Sequence, residues 1–152
     1  MKFLSILFIF LASNLMFAQN LPELRTLLQK AETSENTTKI LIKKSEDAYS
    51  KTKSPIYSAF LATGQFLMAK HVFSPFKKMS YFNEGKKNMD GAIQKDPKNT
   101  EIRLMRLITQ EKAPKMLGYT KNITEDRRMI MNEYRNIEDA DLKLYIKNYL
   151  NL

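Results

Sequence analysis

The side chains able to do chemistry are few. His71 is the sole histidine and no cysteine occurs. His71 therefore has no second imidazole and no thiolate with which to share a metal ion, and disulfides and cysteine nucleophiles are excluded. It falls near the end of an apolar helical segment, where an imidazole suits the capping of terminal carbonyls. The densest carboxylates are Glu125–Asp126 and Glu138–Asp139 with Asp141. Both groups coincide with expected helix starts, where the helix dipole favours acids, and neither has the apolar setting that would raise a pKa for general acid–base work. No phosphate-binding loop, Gly-rich dinucleotide turn, nucleophile elbow or zinc-binding helix is present. These residues predict a non-enzymatic protein that needs no cofactor.

Binding is the remaining possibility. Arg103, Arg106 and Gln110 align at i, i+3 and i+7 on one helical face, and Arg127–Arg128 extend that strip if the two helices are neighbours. These five residues are the candidate binding surface; the alternative is an ordinary solvated face. Lys70, Lys77, Lys78, Lys86, Lys87, Lys95 and Lys98 are also crowded together, but at 3.6 residues per turn their directions wrap around the helix instead of forming a stripe. Tyr119, Tyr134, Tyr145 and Tyr149, with Phe73 and Phe76, are either core residues or the lining of a groove. Asn36–Thr37–Thr38 and Asn122–Ile123–Thr124 fit the glycosylation triplet.

Export sets the context for these groups. Lys2 precedes the apolar run Phe3–Ala12, a more polar stretch follows, and Ala18 supplies a small residue before Gln19. This is the pattern of a cleaved signal peptide over 1–18. The apolar core is too short for a membrane span, which needs about 20 residues, and without cysteine the chain is not a lipoprotein. The formal charge is +9; removal of 1–18, whose only charge is Lys2, leaves +8. Such a charge draws a protein towards anionic surfaces. Export argues against nucleic acid as the partner and leaves a protein, a peptide or an anionic envelope surface of lipid or polysaccharide.

The elements that must position these groups are helices. Residues 19–152 are expected to form one all-α domain of about seven helices, arranged as stacked antiparallel hairpins. The expected spans are 22–33, 37–52, 55–73, 75–95, a fifth helix from Thr100, a sixth ending near Tyr134, and 138–150. Leu24, Leu27, Leu28 and Ala31 stripe the first. Ser54–Pro55 and Ser74–Pro75 pair a capping hydroxyl with a proline at the first helical position. The third helix is apolar around most of its circumference and is expected at the centre. Gly85 and Ala92 should admit a neighbouring helix closely. Residues 113–119, with Pro114 and Gly118, are expected to form a loop with one helical turn, and Asn122 with Glu125 resembles a capping box.

One segment resembles a known family. Gly85, Met89, Ala92 and Pro97, followed by Asn99, resemble the second helix and closing turn of a tetratricopeptide repeat, and Thr63–Gly64 resemble the small-residue pair of its first helix. The resemblance covers about residues 63–99 as one stretched unit; Arg103 and Arg106 stand where the next repeat would be apolar. It implies a helical-hairpin scaffold that holds a protein or peptide partner, and no chemistry.

Overall fold

The computed structural model describes residues 20–152; the expected signal peptide at 1–18 lies outside them. The described residues form seven α-helices and no strand. They are α1 (Asn20–Ala31), α2 (Glu35–Thr52), α3 (Pro55–His71), α4 (Pro75–Lys95), α5 (Thr100–Lys112), α6 (Ile123–Glu133) and α7 (Ala140–Leu150). Short 3₁₀ turns occupy Lys115–Leu117 and Tyr134–Asn136. The first of these closes on Gly118 at φ 64°, a conformation without penalty only for glycine.

Side-chain caps set four of the seven helix starts. The Ser34 hydroxyl accepts from the Thr37 amide at 3.2 Å, which starts α2 two residues earlier than its apolar stripe suggests. Asn99 accepts from the Glu101 and Ile102 amides, both at 3.1 Å, and Asp139 accepts from Leu142 at 3.0 Å. Ser74 caps α4 more loosely through Lys77. Ser54 makes no side-chain cap, so α3 starts on Pro55 alone. Asn122 stands at the N-cap of α6 but makes no side-chain cap either: its Oδ1 accepts from Gln110 and its Nδ2 donates to the Glu125 carboxylate.

α3 lies in the middle, packed on α1, α2, α4 and α5. Every residue from Tyr57 to Gln65 is buried, as is Met68. Two glycines bring its neighbours close. A Cβ on Gly85 of α4 would lie 3.0 Å from the Ala62 carbonyl oxygen, and one on Gly64 would lie 2.8 Å from Ile42 Cγ1 of α2.

The apolar interior falls into two clusters that meet at α5. Leu24, Leu41, Phe60, Met89, Ile102 and Met105 belong to the first, between α1 and α5. Leu104 and Leu107, on the other side of α5, join Ile130, Leu142 and Ile146 in the second. Each fully buried side chain of this size contributes about 1.5–3 kcal/mol of transfer free energy. A helix between two cores must also bury its polar residues, and α5 buries Glu101, Arg103, Arg106, Thr109 and Gln110.

Candidate functional site

The arginine strip of α5 does not form an exposed surface. Arg103, Arg106 and Gln110 are 9%, 6% and 1% exposed. The two guanidinium groups close on Asp126 in the first turn of α6, which is fully buried. Arg106 is bidentate, with Nε donating to Asp126 Oδ2 and Nη2 to Oδ1, each at 2.7 Å. Arg103 Nη1 donates to Asp126 Oδ1 and to Glu125 Oε1, both at 2.8 Å, and its Nε donates to the Pro97 carbonyl. The Arg103 hydrogen bond holds the Glu125 carboxyl below its ordinary pKa. Burial disfavours the Arg103 charge, but the Asp126 and Glu125 bonds outweigh it and raise its pKa. Gln110 bonds Asn122 in both directions. The physical reason for the difference is that α6 supplies two carboxylates to the face those arginines occupy. Arg127 is half-buried and donates to Glu111, which also accepts from Tyr149; Arg128 alone of the five is exposed without a role in this network.

His71 caps a carbonyl of a different helix from its own. Its Nε2–H donates to the Ala31 carbonyl at 2.9 Å, satisfying the C-terminus of α1. Asp139 caps α7 and also accepts from Arg25 Nη2 at 2.9 Å, while Arg25 forks onto Glu101 at 2.7 and 2.8 Å. Burial works against the Asp139 charge, but the Arg25 and Leu142 hydrogen bonds bring its pKa down overall. These groups are spent on joining helices. Among the described residues no group of three or more His, Asp or Glu side chains is placed to hold a metal ion.

The aromatic residues do not line one groove. Tyr119 is buried between the rings of Phe66 and Phe82, at centroid distances of 5.6 and 5.9 Å. Tyr134, Tyr145 and Tyr149 pack on the second cluster. A furrow of about 290 Å³ runs between α1, α5 and α7, walled by Leu28, Leu104, Met105, Leu142, Leu144 and Tyr145. That volume is at the bottom of the range for ligand sites, roughly 300–1,000 Å³, and the half-buried Arg25 and buried Glu101 in its wall satisfy each other.

Two large rings are exposed at the α3–α4 corner. Phe73 is 95% exposed and Phe76 is 89% exposed, with Met79 next to them at 47%. Phe73 sits in the three-residue link between helices, and Phe76 is the second residue of α4. The buried stripe of α4 is Phe82, Gly85, Met89, Ala92 and Ile93, and Phe76 points about 150° from its mean direction at 3.6 residues per turn. Lys70, Lys77 and Lys78 are exposed in the same stretch of chain, and Lys78 Nζ donates to the Ala69 carbonyl of α3. Lys70 lies 3.8 Å from Glu32, which pairs more closely with Lys112. Sequence spacing alone identifies Phe76 as off the core stripe; taking it with the other aromatics as core or groove lining missed that cue. A second cue is that no Asp or Glu occurs between Asp47 and Glu84.

Comparison with protein-family models, with curated proteins and with solved structures yields no match. No helix among the described residues is long and apolar enough to cross a membrane.

Proposed function

We propose that this chain is a non-enzymatic docking module of the cell envelope. In this reading it is exported with loss of residues 1–18, folds as stacked antiparallel helical hairpins of the tetratricopeptide kind, and makes contact through the α3–α4 corner. The observation that carries the reading is the pair of phenylalanines at 95% and 89% exposure, three residues apart in sequence; among the described residues Met116, which stands alone in its loop, is the one other large apolar side chain exposed to a like degree. A protein that exposes adjacent large rings loses solubility and gains nothing in folding, so such a patch marks a contact surface. The furrow beside α7 is the weaker site, because it is small and Arg25 and Glu101 in its wall are already paired.

The test is fractionation of the producing cells. The chain is expected in the envelope fraction, with Gln19 at its N-terminus by mass spectrometry. Phe73→Ser with Phe76→Ser should release it to the soluble fraction without lowering its melting temperature, since neither ring is packed. Retention of the double variant at the parent level would overturn the proposal.

A further inference from the structure

Resting on that docking function, we infer that the partner of the α3–α4 corner is the interface of an anionic lipid bilayer, entered by Phe73 and Phe76 with Lys70, Lys77 and Lys78 at the headgroups. The shape of the corner favours this partner. The two rings stand off the end of a helix pair at almost full exposure, with no wall of this molecule beside them to complete a pocket. A protein partner would have to bring a complementary cavity, whereas the boundary between headgroups and acyl chains, roughly 5–10 Å deep, accepts apolar side chains without one.

Charge decides against the other occupants. Lys70, Lys77 and Lys78 are all exposed. Glu32 in the α1–α2 turn is already engaged by Lys112 and Lys70, and Glu35 at the start of α2 by Lys39. A second copy of the chain meeting tip to tip would set these lysines against each other, and an anionic polysaccharide would offer the rings no apolar phase. Stable attachment of a protein to a bilayer takes two weak signals together, apolar insertion and a basic patch, and the corner holds both within nine residues, Lys70 to Lys78.

The chain contains no tryptophan, so a single Trp introduced at the corner is a clean probe. Chain purified from the producing cells, its N-terminus checked by mass spectrometry, is mixed with vesicles containing phosphatidylglycerol or with phosphatidylcholine alone. On the anionic vesicles Phe76→Trp fluorescence should shift to the blue and be quenched by brominated acyl chains, while Met131→Trp on α6 should do neither. The double serine variant should lose at least about tenfold in partition for each ring. Lys77→Glu and Lys78→Glu should each cost about fivefold or more, and added salt should weaken binding. Three results would overturn the lipid assignment: no partition onto phosphatidylglycerol vesicles, partition that survives the double serine change, or equal quenching of Met131→Trp. A dimer in vesicle-free sedimentation that disappears with the rings would assign the corner to a second copy instead. Envelope retention that needs the rings, without any vesicle binding, would assign the corner to a protein and leave the docking function standing; retention that ignores the rings removes that function itself.

Discussion

Asp126 is the residue on which most depends. It is fully buried and balances two guanidinium groups that would otherwise be left in a low-dielectric interior. Removing one partner of a buried ion cluster costs about 3–5 kcal/mol, because the stranded charge keeps its desolvation penalty. Asp126→Asn is therefore expected to lower the stability of the chain by an amount in that range, measured by urea unfolding. Glu125→Gln removes a half-exposed partner of Arg103 and should cost under about 1 kcal/mol. Similar losses from the two variants would show that Asp126 is no more central than its neighbour. The same cluster explains why this part of the site was not legible in the sequence. Helical spacing correctly puts Arg103, Arg106 and Gln110 on one face, but spacing gives direction and not what lies opposite. The carboxylate that draws the arginines inward is 20 and 23 residues away along the chain. Phe76 is the opposite case, since its angle on the α4 wheel excludes it from the core without knowledge of any neighbour.

At the level of the helix, local chemistry marks most of the boundaries. Pro75 and Lys95 bound α4 as expected because Ser74–Pro75 opens the helix and Asp96–Pro97 closes it. The boundaries of α2 and α3 move by a few residues. Ser34 caps α2 earlier than its apolar stripe begins, and Val72 is apolar but extended with Phe73 outside the helix, so apolarity alone overextends α3. Asn122 shows the limit of local reading: a residue fit for capping is diverted by Gln110 from another helix. The two glycines of α4 turn the same question into a prediction. Gly91 has open space where a Cβ would go, whereas a Cβ on Gly85 meets the Ala62 carbonyl and the Phe66 ring at 3.0 and 3.2 Å. Gly91→Ala should stabilise the chain by about 0.5–1 kcal/mol through helix propensity and a less flexible unfolded state. Gly85→Val should destabilise it by about 1–3 kcal/mol through overpacking against α3. Thermal unfolding of the two variants should give shifts of opposite sign; shifts in one direction would mean that α3 and α4 are not in close contact at Gly85.

Across the whole molecule, ionisable groups tie distant helices together, and their shifts predict a stability plateau with two edges. Glu32 is drawn below its usual pKa chiefly by the Lys112 hydrogen bond, Glu125 by Arg103, and Asp139 by Arg25 against the effect of burial. A carboxyl with a depressed folded pKa contributes stability that is present above its unfolded pKa, about 4, and lost as pH falls through the folded value. Each loss loosens a link between elements, the α1–α2 turn to α5 through Glu32, α5 to α6 through Glu125, and α1 to the start of α7 through Asp139. The tyrosines set the other edge. Burial raises the pKa of Tyr57, Tyr119, Tyr145 and Tyr149 above the usual value of about 10. A raised folded pKa means stability that is complete below the unfolded pKa and lost as pH climbs towards the folded value, because the unfolded chain ionises first. Urea midpoints should therefore be flat from about pH 5 to about pH 9 and fall on both sides. Tyr119→Phe separates the edges. It keeps the ring between Phe66 and Phe82 and removes only a long contact to Asp90, so it should soften the alkaline fall and leave the acid fall where it was. An alkaline edge unchanged in that variant would place the titrating groups on the other three tyrosines, and a midpoint that falls steadily across the neutral range would contradict the plateau altogether.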